Sequence, residues 1–564
     1  MCAEHYLAAE AGADVLRRSG NAIDAAVAAV LVEGLINPQM NSIGGECPLL
    51  IWSSEHGRVV VINGNTAAPG LATPEAYTSR GFDEVPAEGI LAAGVPATLG
   101  SLVTTLHLFG TMTFEDAASA ALDLAHNGFP IHRGLLFQEK FGIHDLEEKF
   151  RTNWPGSRNL YLPEGDMPKE GAILRNTSFA EMLNYLCALE RTKATREEGL
   201  QAVLDGFYRG AVAAKIDSFS DRHDGLLHYS DLEAFETKVE QALSVEFLGN
   251  EIFKCGPWNQ GPAMLQTLRI LEQFDLRSMG HNSDQYVHHV AEAIKLAYAD
   301  REQYYADPCQ TRVPIESLIS REYGALRAPL IDPDTANPEL RPGDPVNRRA
   351  VLPIEERIGG RSWGPGTVHV DVIDELGNVV AATPSGGWIM SSEVMPDLGF
   401  PLGNRLMAFY LQPARHPNRI APFKRPRTTI SPSLARTASG DWIAFGSMGG
   451  DQQDQWQIQF FLNVTVFGMP LNQAIEAAKF SSEHFPGFFA PHSFYRNRLR
   501  VEPRLGEQTI RGLRDRGHDV DIGPDWSEGY ILAARQHREH GTVEAAYDPR
   551  GAKSDIFAAA ARCW

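Results

Sequence analysis

The stretch Gly364-Pro365-Gly366-Thr367-Val368-His369-Val370-Asp371-Val372-Ile373-Asp374 changes character at Thr367. Upstream, Pro333, Pro338, Pro342, Pro345 and Pro353 interrupt the chain, and Gly359-Gly360 precedes Gly364. That composition, over Ile331 to Pro365, predicts an exposed, mobile loop. Downstream, Thr367–Asp374 alternates as a strand, Glu375-Leu376-Gly377-Asn378 reads as a turn, and Val379–Ala382 as the returning strand. A loop that feeds directly into a strand-opening threonine is the arrangement an N-terminal nucleophile needs. Scission of Gly366–Thr367 would free an α-amine with a pKa near about 8, able to serve as base for the residue's own hydroxyl. The hairpin also sets Ser385 about as far after the turn as Thr367 lies before it, so the two hydroxyls can meet. A threonine that merely begins a strand is the competing explanation.

Gly446-Ser447-Met448-Gly449-Gly450 follows the strand-like run Trp442–Phe445. Consecutive glycines let backbone N–H groups converge on a developing oxyanion, although the same residues also make an ordinary tight turn. Helical spacing predicts helices over Leu7–Leu16 and Ala22–Leu35, around 97–109, 114–127 and 178–190, and over Ser283–Asp300. Pro48–Trp52 and Arg58–Ile62 read as an antiparallel pair after a turn at Asn41–Gly45. Over 564 residues, 51 basic against 71 acidic side chains leave a net charge of −20. Such a chain lacks the clustered cations that nucleic acid or an anionic membrane requires. A small-molecule enzyme is the expectation. Six cysteines without CxxC spacing suggest neither a disulfide framework nor a zinc site. Neither a signal segment nor an apolar run of spanning length is visible, which predicts a cytoplasmic protein. Length alone suggests three or four domains.

Many stretches resemble the γ-glutamyltranspeptidase family of N-terminal nucleophile hydrolases. They include Ala8–Gly12, Gly20–Ala26, Gly94–Thr98, Phe207–Gly210, Leu268–Leu276, Ala291–Arg301, Gly366–His369, Asp374, Gly377-Asn378, Arg425–Pro432 and Gly446–Gly450. The resemblance implies an α/β fold, the four-layer αββα sandwich. It implies a precursor cut into a large chain, residues 1–366, and a small chain, residues 367–564, which together form one domain. Thr367 would form an acyl-enzyme, Gly449 and Gly450 would hold the oxyanion, and Ser385 would take the place of the family's second hydroxyl residue. Thr428 and Thr429 match a Ser-Ser pair that contacts substrate carboxylate. The partners so implied are a small amide and the chain's own two fragments, with a homo-oligomer left open; no cofactor or metal is implied.

The departures concern specificity. Asn65 stands where family members carry an arginine for the glutamate α-carboxylate. Gly387 replaces an asparagine, and Arg405 and Ala408 occupy the positions that grip the α-ammonium. Losing an aspartate there removes a charge-assisted hydrogen bond of about 2 kcal/mol. The pattern around Asn404-Arg405 and His416–Asn418 is closer to an acylase-like branch that resembles cephalosporin acylases and oxamate amidohydrolase. Arg405 is read as facing a substrate carboxylate or as closing a structural ion pair. Trp388 and Phe409 are read as lining the acyl pocket or as core. His369 shares a strand face with Thr367 and either tunes the site or packs. His288 and His289 are taken as ordinary surface and core residues. An amidohydrolase or acylase therefore leads, with glutathione-type hydrolysis or transfer second and an uncleaved, non-catalytic binding protein third.

Overall fold

A computed structural model describes residues 1–349, 366–553 and 558–563. Two antiparallel sheets face each other between helical layers. The first has seven strands, in the order Ala560–Ala561, Cys2–Ala3, Val370–Ile373, Val379–Ala382, Leu49–Ser53, Arg58–Asn63 and Lys238–Gln241. The second has six: Thr542–Tyr547, Ile531–His537, Trp442–Ser447, Ser433–Arg436, Asn250–Lys254 and Leu243–Phe247. Each sheet mixes strands from both sides of Thr367. Val379–Ala382 pairs with Leu49–Ser53, and Ser433–Arg436 with Asn250–Lys254.

Strand alternation separates the layers. Leu49, Ile51, Val60, Ile62, Val370, Val372, Val380 and Ala382 join the core beneath the first helical layer. Their neighbours Leu50, Val59, Val61, Ile373, Val379 and Ala381 meet Leu434, Trp442 and Ala444 of the other sheet in a separate cluster. Ile443 and Phe445 turn to the opposite helical layer, against Leu265, Ala291 and Phe461. This period of two is what a strand covered on both faces requires. The expected αββα sandwich is the architecture observed.

Ala22–Ile36 is buried around its whole circumference, Asp24 and Glu33 included, because the first sheet and outer helices enclose it. Asn21 caps it, accepting from the N–H groups of Ile23 (2.9 Å) and Asp24 (3.0 Å). The Ala22 N–H donates to Asp374 Oδ2 at 2.8 Å, and Asp374 also accepts from Asn378 at 2.8 and 2.9 Å. One carboxylate thus joins the helix start to the hairpin turn. The predicted helices form within a few residues of their expected limits, the longest running Asp284–Tyr304.

Three expectations change. Regular strand begins at Val370 rather than Thr367, which is held by a single antiparallel bridge to Ser385. The described part of the expected mobile loop, 331–349, contains no helix or strand but is anchored. Lys295 donates to Asn337 O (2.6 Å), the Gly343 N–H to Asp300 Oδ1 (2.7 Å) and the Ala336 N–H to Arg516 O (2.7 Å). Those partners lie on distant elements, so local composition could not announce them; residues 350–365 lie outside the described residues. His288 and His289 are both buried, and neither is a surface residue.

Candidate active site

His369 and Asp371 alternate with Val370 and Val372, which face the helices, so both point into the seam between the sheets, while Thr367 precedes the regular strand and bridges to Ser385. The His369 ring bonds Thr383 Oγ1 at 2.9 Å and Asp371 Oδ1 at 2.8 Å. Burial pushes the Asp371 carboxyl upward while His369 opposes that shift. Gly446, across the seam, is smooth for a reason: a Cβ there would lie 2.3 Å from His369 Cε1. His369 therefore packs at the crossing of the two strands that carry the candidate nucleophile and the glycine turn.

Thr367 Oγ1 lies 3.0 Å from Ser385 Oγ. Ser385 Oγ donates to the Gly366 carbonyl at 2.8 Å and accepts from Arg405 Nη2 at 3.0 Å. A hydroxyl carries one proton, and Ser385 has committed its own to Gly366. Thr367 must then be the donor in their shared bond, which leaves its oxygen lone pairs free. Ser385 is in turn fixed by reciprocal backbone bonds with Glu46, 2.8 Å each.

Arg405 is 2% exposed and paired with Glu46, Nη2 to Oε2 3.0 Å. Of the two alternatives the sequence left open, the ion pair is the one formed. Burial raises the Glu46 carboxyl above its ordinary range and the guanidinium pulls it back. Gly386 and Gly387 follow with φ of +74° and +59°. A side chain at 387 would meet the Gly45 nitrogen at 2.7 Å, so the asparagine expected from the family has no room there.

Trp388 Nε1 donates to the Gly366 carbonyl at 2.6 Å and to Met40 O at 2.8 Å. Phe409 lies in a different apolar cluster, with Leu406, Leu411 and Ile420. It borders a groove of about 640 Å³ that also involves Phe82, Tyr410 and His492. The two aromatics are thus separated by the fold.

Gly449 and Gly450 take φ of +115° and +57°, the left-handed region that glycine tolerates. Gly450 lies against the Phe489 ring, Phe489 stands 6.1 Å from Trp388, and Trp388 bonds Gly366. That chain of contacts connects the turn to the Gly366–Thr367 peptide. Sequence reading missed the supports of this turn. Gln260 Nε2 donates to Gly450 O (3.1 Å), Arg301 donates to Gln260 Oε1 (2.9 Å) and Arg301 pairs with Asp451 at 2.5 Å. Asp451 also accepts the Phe488 N–H at 2.8 Å. The available signal was Asp451 directly after the glycines.

Thr428 is buried and its backbone bonds run to Trp258 O and from the Gln260 N–H, each 2.9 Å. It thereby joins the Gly450 turn through Gln260, with Thr429 next in the chain and also buried. Asn65 is buried, donates to Pro426 O at 2.7 Å and accepts an Arg425 bond on its carbonyl. Its side-chain oxygen has no partner.

Among the described residues, one cluster has metal-ligand chemistry: His288, Glu292 and His518. Its atoms are already engaged. His288 Nε2 donates to Asp332 O (2.7 Å), so its Nδ1 accepts from His518 Nε2–H (2.9 Å), and Glu292 holds Lys295. The neighbouring ammonium opposes a cation there.

The gamma-glutamyltranspeptidase family model matches residues 8–558. The chain belongs to this family. It is an enzyme of the N-terminal nucleophile hydrolase type, and the non-catalytic alternative falls away. Relatives include the glutathione hydrolase proenzyme of Bacillus subtilis, 28% identical over 96% of this chain and 89% of that protein. The oxamate amidohydrolase proenzyme of Klebsiella pneumoniae is 29% identical over 97% of this chain and 96% of its own length. Among solved structures, LmbA2991 is 36% identical with a TM-score of 0.92, covering 100% of this chain and 97% of its own. The cephalosporin acylase of Bacillus halodurans is 25% identical with a TM-score of 0.82, covering 97% and 94%. No helix among the described residues is long and apolar enough to cross a membrane.

Proposed function

We propose that this family member is a self-processing amidohydrolase or acylase whose nucleophile is Thr367. The observation that carries this reading is the bond order Thr367 Oγ–H to Ser385 Oγ, with Ser385 Oγ–H to Gly366 O. Cleavage before Thr367 yields chains 1–366 and 367–564, held together by sheets that mix strands of both. The freed amine then takes the hydroxyl proton as Thr367 Oγ attacks a substrate amide carbonyl. Gly449 and Gly450 N–H groups hold the tetrahedral oxyanion, the amine leaves, and water or a second amine takes the acyl group from Thr367. Arg405, Asn65, Thr428, Thr429 and Phe409 are the candidate specificity residues, while the Trp388 indole is engaged by the Gly366 carbonyl. The oxamate amidohydrolase and cephalosporin acylase likenesses favour a small acyl or amide substrate. The six free cysteines fit a cytoplasmic setting.

Glutathione hydrolysis is the second reading, favoured by the Bacillus relative. Against it stand Asn65 and Ala408, which offer no charge to an α-carboxylate or α-ammonium, and Arg405, whose charge Glu46 already balances. A panel of amides with mass-spectrometric trapping of the acyl-enzyme on the small chain tests the proposal. Poor turnover of a γ-glutamyl anilide is expected; efficient turnover would establish the second reading instead.

A further inference from the structure

We infer that Trp388 and Ser385 form the oxyanion site for scission of the chain's own Gly366–Thr367 bond, distinct from the Gly449–Gly450 turn proposed for substrate. The inference rests on the self-processing reading above. In the uncleaved chain, the donors to Gly366 O among the described residues are Trp388 Nε1 at 2.6 Å and Ser385 Oγ at 2.8 Å. That oxygen is where negative charge develops when Thr367 Oγ attacks the Gly366 carbonyl carbon. Donors already aimed at it require no reorganisation, and the buried setting strengthens them.

Both donors are held from behind. The indole N–H is shared with Met40 O at 2.8 Å, Phe141 meets the ring edge-on with centroids 5.5 Å apart, and the Arg405 guanidinium lies 5.2 Å over it. Arg405 also fixes Ser385 through Nη2 at 3.0 Å. Residue 366 is part of the device. A Cβ there would lie 3.0 Å from the indole and 2.9 Å from Phe141, so glycine lets the ring reach the carbonyl.

The step balances without a cofactor. The Thr367 Oγ–C bond forms, the Gly366 C–N bond breaks, and the hydroxyl proton ends on the departing Thr367 nitrogen. Water then hydrolyses the ester, leaving a Gly366 carboxylate and a free Thr367 amine and hydroxyl. Because Ser385 accepts the Thr367 hydroxyl proton in the resting bond, it is placed to pass that proton on. Trp388 acts through its N–H alone.

Purified wild type and Trp388→Phe are followed on denaturing gels from full-length chain to two fragments, and each matured sample is then assayed for acyl-enzyme formation. Trp388→Phe is expected to slow scission by about 10²-fold, the usual loss for one oxyanion donor, and to slow acylation far less. Site-specific replacement of Trp388 by benzothienylalanine, which puts sulfur in place of N–H within the same ring shape, gives the same result if the donor is what matters. It also decides the matter should Trp388→Phe fail to fold. Scission at the wild-type rate in that replacement overturns the assignment while leaving self-processing intact, as does equal slowing of scission and acylation. A wild-type chain that never divides overturns the self-processing reading itself.

Discussion

Glu46 balances the charge of Arg405 at 3.0 Å, with both side chains sealed from solvent and Ser385 held by the same Nη2 that meets the carboxylate. A buried pair of this kind adds little net stability, yet removing one member strands the other. Its value here is positional. Because the carboxylate grips Nε and Nη2, the guanidinium is fixed in place and Nη2 can also donate to Ser385, which in turn orients Thr367. Glu46→Gln should cost about 3–5 kcal/mol of stability by leaving Arg405 uncompensated, measured as a lowered denaturation midpoint. It should also slow fragment formation. A variant with unchanged midpoint and unchanged scission would remove Glu46 from the account.

Thr367→Ala deletes the hydroxyl that both scission and acylation use. The chain should persist as one band of 62.0 kDa, whereas wild type divides into pieces of about 40 and 22 kDa, in proportion to 366 and 198 residues. Appearance of those pieces in the variant would assign the cut to another protease.

Gly446→Ala tests the seam. The new methyl would meet a His369 ring that two hydrogen bonds hold in place, so the ring has no easy retreat. Overpacking of this kind costs about 1–3 kcal/mol, readable as a fall in melting temperature. No change would mean that the sheets part readily at this crossing.

Arg301→Lys keeps the charge but loses the fork that reaches Asp451 and Gln260 through Nη1, Pro486 O through Nη2 and Glu302 through Nε at once. The Gly449–Gly450 turn should loosen, lowering kcat about tenfold with KM little changed, a loss of about 1.4 kcal/mol in the transition state alone. Equal effects on both constants would point to general damage instead.

Burial, reinforced by the charges of Lys295, His288 and Arg516, lowers His518 from 6.5 to about 2. With the folded value depressed, its contribution is complete above pH 6.5 and fades as pH falls below it. The slope is about 1.4 kcal/mol per pH unit for the one proton. Urea midpoints from pH 7 to pH 5 should therefore fall more steeply for wild type than for His518→Gln. Parallel slopes would show that His518 carries no such linkage.

Much of this was legible in one dimension. Alternation in Leu49–Ser53, Arg58–Asn63 and Val379–Ala382, and the caps and breaks around Asn21, are local signals that survive because the layered fold agrees with them. The meeting of Thr367 and Ser385 followed from counting about a hairpin turn, since register propagates along paired strands. The anchoring of 331–349 was not legible, because Lys295, Asp300 and Arg516 reach it from elsewhere in the chain. Nor was the separation of Trp388 from Phe409, since both are simply aromatic residues near one strand until packing assigns each a cluster.

The sequence by itself implied the layered αββα class through its resemblance to the γ-glutamyltranspeptidase family, and it marked the hairpin after Thr367 and the glycines at 449 and 450 because periodicity and backbone freedom are properties of short segments. Only the tertiary structure decided that Arg405 pairs with Glu46, 359 positions away, and that the Trp388 indole reaches the Gly366 carbonyl. Charge neutralisation and hydrogen-bond direction depend on which groups are brought within about 3 Å in a buried space, and no local pattern contains that distance.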